Sequence, residues 1–186
     1  MFSNTEHYSK IDYLKKNYTT IQYFGLGFVQ IKLNSSERMH FWHPDFDRPM
    51  ESIHNHRYNF KSTVLYGRLD AEEYMFNRSD SGDYEMFITD CSPMNEGTPI
   101  ILGRGDVELT KLTSLVAGSE YWLHHDTLHR VSANYCVTLL FRNIPQKKSA
   151  QVVQKKDLPI ECPFSHNLPE NELWEIVDDC LRYDYA

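Results

Sequence analysis

The chain has 186 residues, 41% of them hydrophobic, 13% aromatic and 24% charged, which excludes a disordered, collagen-like or coiled-coil protein. Against 19 basic residues stand 26 acidic ones, a net charge of −7. That balance argues against a broad nucleic-acid surface or an anionic-membrane partner, both of which need basic patches.

Residues 8–16 predict a short helix with Ile11, Leu14 and Tyr8 turned inward. From Phe24 to Leu33 the sequence begins to alternate apolar and polar residues, a strand signal, and Arg38–Trp42 gives another short strand closed by His43-Pro44-Asp45. Between 51 and 143 the chain reads as a succession of short strands, at 51–57, 61–68, 70–77, 84–90, 98–102, 106–113, 120–124, 128–133 and 135–143. Turn signals separate them at 78–83, Asn95-Glu96-Gly97, Gly103-Arg104-Gly105, Ala117-Gly118-Ser119 and Ala133-Asn134. Many short strands at regular spacing predict an all-β, mainly antiparallel sandwich or barrel. Residues 144–166 read as an irregular arm. A closing helix follows, with Asn167 as cap, Pro169 in the first turn, and Leu173, Ile176, Val177, Cys180 and Leu181 on one face. A single domain over 1–186 is expected, with its barrel at about 20–143 and an arm and helix at 144–186.

Cysteines stand at 91, 136, 162 and 180 with no CxxC pair, so a zinc ribbon is not indicated. The polar start lacks an apolar signal core, and no apolar run reaches membrane-spanning length. A cytoplasmic setting with free thiols is therefore expected.

Histidine is the uneven entry: there are nine, seven of them between residues 40 and 129. In a strand, residues two apart point the same way, so His54 and His56 can grip one ion. His129 lies in another predicted strand and can face them if the two strands pair antiparallel. Three imidazoles on one face suit a divalent transition metal and leave coordination positions for substrate, water or dioxygen.

These residues resemble the motifs of the cupin superfamily over roughly 50–143. The first cupin motif is a glycine, His-x-His, a glutamate and a glycine. His54, His56 and Gly67 keep their positions, whereas Arg48 takes the opening glycine's place and Phe60 the glutamate's. In the second motif Gly118 and His129 fit, with His124-His125-Asp126 in place of the proline-x-glycine turn. The resemblance implies a double-stranded β-helix, or jelly-roll, barrel. Without the glutamate, three neutral imidazoles leave a divalent ion its full charge, a site that favours thiolate, carboxylate or enolate ligands. Such a three-histidine centre resembles that of the thiol dioxygenases, and Leu128-His129-Arg130-Val131 echoes their third-ligand segment. The tyrosine those enzymes use has no counterpart, since Phe141 is the nearest aromatic.

Tyr66 and Ser62 share the parity of His54 and His56 if no bulge intervenes. Tyr66 is a candidate acid or base. Arg142 is a candidate partner for a substrate carboxylate, with a surface charge as the plain alternative. Phe60 either walls a pocket or fills the core. His124 and His125 read as turn residues that can reach a pocket mouth, His40 and His43 as ordinary strand or loop residues, and His7 and His166 as surface groups. His124-x-Asp126 also matches the first half of the 2-oxoglutarate oxygenase ligand set, but only His166 is left for the distal ligand.

The expected function is a metal-dependent cupin enzyme, a non-haem Fe(II) dioxygenase acting on a small anionic substrate such as a thiol or carboxylate. Nickel, manganese or zinc also suit the imidazoles. The alternatives are a metal-independent isomerase or epimerase using Tyr66 and a histidine, and a non-catalytic small-ligand binder. A homodimer formed through residues 1–20 and 144–166 is expected from the architecture.

Overall fold

The computed structural model describes residues 9–46, 53–89, 99–158 and 168–183. The expectations for His7, Tyr8, Arg48, Cys91, the Asn95–Gly97 turn, Cys162, His166 and Asn167 lie outside the described residues. The element order is α1 (Ile11–Asn17), β1 (Thr20–Phe24), β2 (Phe28–Lys32), β3 (Glu37–Trp42), β4 (Ile53–His54), β5 (Phe60–Arg78), β6 (Tyr84–Thr89), β7 (Ile100–Val116), β8 (Glu120–Leu123), β9 (Leu128–Arg142), β10 (Ala150–Lys155) and α2 (Glu170–Arg182).

All pairings among these strands are antiparallel. Six strands form a closed circuit, in which β9 pairs with β5, β5 with β7, β7 with β6, β6 with β10, β10 with β4 and β4 with β9. Beyond this ring the first part of β5 and the last part of β9 remain paired. There they gain β8 on one side and β3, β2 and β1 on the other. The all-β, antiparallel barrel expected from the sequence is the architecture observed.

The long strands explain where the predicted breaks went wrong. Three of the expected turns and joints are bends inside continuous strands. In β5 the register shifts twice around Tyr66, and Gly67 sits at φ 75°, a left-handed conformation that favours glycine. In β7 the chain is crowded at Gly105, where an added Cβ would stand 2.2 Å from the carbonyl oxygen of Asn77. In β9 the bend falls at Tyr135, with φ 44°. Two other segments also differ from expectation. Residues 24–33 are not one strand but a turn and β2, paired to an unforeseen β1. The supposed irregular arm contains β10, which fills the ring between β6 and β4.

Of the four buried apolar clusters among the described residues, two place the helices and the ring. Ile53, Met86, Leu128 and Val153 fill the ring together with Tyr74, Phe76, Leu102 and Val107. Val29, Ile31, Met39, Phe41, Val137 and Leu139 form the outer face of the upper sheet, covered by Leu14 of α1 and by Leu173, Trp174, Val177 and Cys180 of α2. Fully burying side chains of this kind stabilises the fold by roughly 1.5–3 kcal/mol each. The helix face read from the sequence is therefore the packing face, with Trp174 added to it. The N-cap position of α2 is Pro169, without a side-chain cap, and Glu170 instead accepts hydrogen bonds from Tyr18 and from the Trp174 indole. Cys136 and Cys180 are free buried thiols. No helix among the described residues is long and apolar enough to cross a membrane.

Candidate metal centre

Alternation in two strands sets up the site. On β4 and β9, Ile53 and Leu128 point into the ring core, so their neighbours His54 and His129 point to the other face. His54 and His129 are direct cross-strand partners, which puts their side chains side by side. Strand β4 ends at His54, so the expectation that strand geometry alone aligns His56 needs an addition. Asn55 supplies it. Its backbone N–H donates to the Gln151 carbonyl at 3.0 Å, its Nδ2 donates to Gln151 Oε1 at 2.9 Å, and its Oδ1 accepts from the Gln151 N–H at 2.7 Å. This clamp on β10 holds the chain extended past the strand end, and His56 stays beside His54. The backbone N–H of His56 also donates to the His125 carbonyl at 3.3 Å.

The three rings converge. Centroids of His54 and His56 lie 4.9 Å apart, those of His54 and His129 4.8 Å, and those of His56 and His129 5.0 Å. Their ligand atoms lie within 4.8 Å of one another, and Nε2 of His56 is 2.8 Å from Nε2 of His129. Nitrogens bound at about 2.1 Å on neighbouring positions of one ion stand about 3 Å apart, so the three-imidazole donor set and the spacing of His56 and His129 suit a divalent metal. Burial first, then the neighbouring imidazoles, hold the His56 and His129 pKa values well below the ordinary histidine value. Both rings are therefore neutral at pH 7, the form that binds metal.

The cluster opens on a cavity of about 300 Å³, at the lower end of the range for small-molecule sites. Its walls are largely apolar and aromatic, with Phe28, Trp42, Phe60 and Tyr121 among them. Phe60 packs edge-on against His56 at 4.9 Å and lies 5.9 Å from His129, and only 2% of it is exposed. The residue in the glutamate position is thus both core and pocket wall. Tyr121 stays protonated, its pKa pushed up to about 12 by burial. Glu72, the one carboxylate on the wall among the described residues, is bound by Arg130 at 2.6 Å and by the Tyr74 hydroxyl at 2.7 Å.

The other sequence-predicted residues lie elsewhere. The bulges around Tyr66 break the parity with His54, and the Tyr66 ring packs with the helix-side core instead of lining the cavity. Arg142 stands at the far end of β9, where its Nε donates to the Ser35 carbonyl at 2.6 Å. Ser62 is fully buried opposite Tyr121. His124 and His125 occupy the turn before β9, as read. His125 is tied to Asn59 through its backbone N–H and its Nδ1, both at 2.8 Å. His43 bonds Asp179 of α2 at 2.8 Å.

Sequence reading missed two residues of the site. Asn55, lying between the two histidines, is buried and polar, and only the unforeseen β10 reveals its use. His40 lines the cavity opposite Thr138 and has its pKa lowered to about 3, by burial first and then by Arg38. Its alternation with Phe41 and Trp42 was the available signal.

No family model and no curated protein matches the chain. Among solved structures, hydroquinone 1,2-dioxygenase PnpCD in complex with Cd2+ and 4-hydroxybenzonitrile aligns with a TM-score of 0.31 and 13% identity, covering 86% of this chain and 81% of that one. The Drosophila melanogaster CENP-C structure bound to CAL1 aligns with a TM-score of 0.31 and 10% identity, covering 81% and 97%. A Sphingomonas hydroquinone 1,2-dioxygenase with 4-hydroxybenzoate bound gives 0.26 and 10%, covering 83% and 78%. Enzymes and a protein seen with a protein partner match about equally, so these likenesses do not decide between functions.

Proposed function

We propose that the chain is a metal-dependent oxidoreductase of cupin type, a non-haem Fe(II) dioxygenase in which His54, His56 and His129 hold the ion. The supporting observation is the convergence of three imidazoles, with His56 and His129 held neutral, at the wall of a largely apolar cavity. A bound ion supplies a Lewis acid and a common attachment point for a small substrate with an anionic donor atom and for dioxygen. The chain's own residues do the rest. Asn55 and the cross-strand register orient the imidazoles. Phe60, Trp42 and Tyr121 give the cavity apolar walls, and a ligand that fills it would leave little room for water and strengthen electrostatic interactions inside it.

The test is metal content in protein purified without added metal, compared among the wild type, His54→Ala and His129→Ala. The reading expects an ion in the wild type alone, and equal content in all three overturns it. Retention of iron against nickel, manganese and zinc after dialysis identifies the ion. The tyrosine named for a metal-free isomerase, Tyr66, packs away from the cavity. A cytoplasmic homodimer completes the proposal, and light scattering that gives a mass near 22.0 kDa contradicts the dimer.

A further inference from the structure

At one end of the upper sheet's inner face stands a group of cations. Lys32 of β2 is the direct partner of Arg38 on β3, and Arg38 is the direct partner of Leu140 on β9. Arg142 lies two residues beyond Leu140, opposite Phe60. Directly opposed residues share a face, so these side chains share the face on which Leu140 and Phe60 line the cavity. Both guanidiniums lie over the Tyr58 ring, Arg38 Cζ at 5.5 Å and Arg142 Cζ at 5.1 Å from its centroid. Arg57 adds a fourth charge felt by Arg38.

Among the described residues, no carboxylate lies within ion-pair distance of Lys32, Arg38, Arg57 or Arg142. Arg38 donates only to Gln30 Oε1 at 3.2 Å, and Arg142 to the Ser35 carbonyl at 2.6 Å. Burial first, and then Arg38 and Arg142, lower the Lys32 pKa. Like charges set opposite one another in a strand pair are destabilising. In a chain of net charge −7, carboxylates are not scarce, and yet among the described residues this cluster has none. Such a cluster is what a ligand's charge would complete, with stability given up for binding.

We infer that Lys32, Arg38 and Arg142 form a binding site for a multiply charged oxyanion, of the dicarboxylate or phosphate class, carried at one end of a small organic ligand. Tyr58 links this site to the histidines, its ring centroid lying 5.4 Å from that of His56. The anionic end thus binds one ring's width from the cavity, and the rest of the ligand reaches into it. That last link rests on reading the histidines as a metal centre, whereas the anion site itself does not.

The experiment is calorimetry and thermal unfolding of the full chain, chelator-treated and metal-loaded, with malonate, inorganic phosphate and acetate at equal ionic strength. The expected result is that malonate or phosphate binds and raises Tm well beyond acetate. Lys32→Gln and Arg142→Gln, on different strands, each weaken that affinity about tenfold or more. Without anion, each variant matches or exceeds the wild-type Tm, because repulsion is relieved, and metal content is unchanged. Equal effects from acetate, anion binding that survives in both variants, or a Tm lowered by both substitutions with the anion response intact would overturn the site. A wild type that binds the anion but takes up no ion refutes the metal reading alone. A wild type that holds an ion but ignores every anion refutes this one alone.

Discussion

His54, His56 and His129 bring three ligand atoms within 4.8 Å of one another, and so do His124, His125 and Asp126. The two groups differ in their surroundings. In the first, His129 is buried, His56 and His129 are held neutral, and the rings touch one another and Phe60 beside a cavity. The second lies in a turn. Its Asp126 is largely exposed and is bound by Lys147 at 2.9 Å and by His125 at 3.2 Å. The His125 ring already bonds Asn59. Proximity of ligand-type side chains therefore does not by itself make a site. The first group has donor atoms facing one another across a cavity, and the second has spent its polar atoms on local structure.

The largest contrast should appear in metal binding. His54→Ala or His129→Ala should take bound metal from about one ion per chain to almost none, while His124→Ala and Asp126→Asn leave it unchanged, all read by elemental analysis. Metal lost from the second pair instead would reverse the assignment. Next comes the aromatic neighbour of each group. Phe60→Ala removes a buried ring and should cost about 3–4 kcal/mol in urea unfolding. Trp122, 57% exposed and 5.8 Å from His124, should change stability by no more than about 0.5 kcal/mol when replaced by Ala. Equal costs would mean that the two environments are alike in solution.

Much of this was legible in the sequence, for a physical reason. The helix face of Leu173, Val177 and Cys180 follows a 3.6-residue period, and the strands follow a two-residue period. Local pattern alone gives both. That His54 and His129 could meet was legible, because both lie in strand signals and share the resemblance to the two cupin motifs, but their direct pairing came only with the register of β4 and β9. What was not legible depends on contacts distant in sequence. A glycine or Ala-Asn pair looks the same whether the chain reverses or merely bends, so β5, β7 and β9 were each divided in two. Tyr66 was misplaced because a bulge flips the parity of everything beyond it. Strand β10 carries no strong alternation, and its place in the ring comes from β4 and β6.

Asn55 depends on that strand. Asn55→Ala leaves Gln151 without its partners and should cost about 2 kcal/mol. It should also weaken metal retention by about 10-fold or more, as loss of an orienting contact does at metal sites. Asn59→Ala, which frees the turn of the second group, should leave metal retention unchanged when both are compared by competition with a chelator. Equal retention in the two variants would show that the β10 clamp does not orient His54 and His56.

The smallest effect separates the cavity from the surface through acid. His40 faces the cavity with its pKa lowered to about 3, by burial and then by Arg38. The unfolded chain takes up this proton near pH 6.5, whereas the folded chain refuses it until about pH 3. Between those limits the unfolded state holds more protons, so stability rises with pH and is lost as pH falls below about 6.5. The slope from this one group is at most about 1.4 kcal/mol per pH unit, or about 2 kcal/mol by pH 5. His40→Gln removes the titration while keeping a polar group opposite Thr138. Urea midpoints for the variant should therefore decline less than those of the wild type between pH 7 and pH 5. The two proteins should differ at pH 7 only by the cost of the substitution itself. Parallel declines would mean that His40 exchanges protons freely with solvent, and that the cavity wall on its side is open to water.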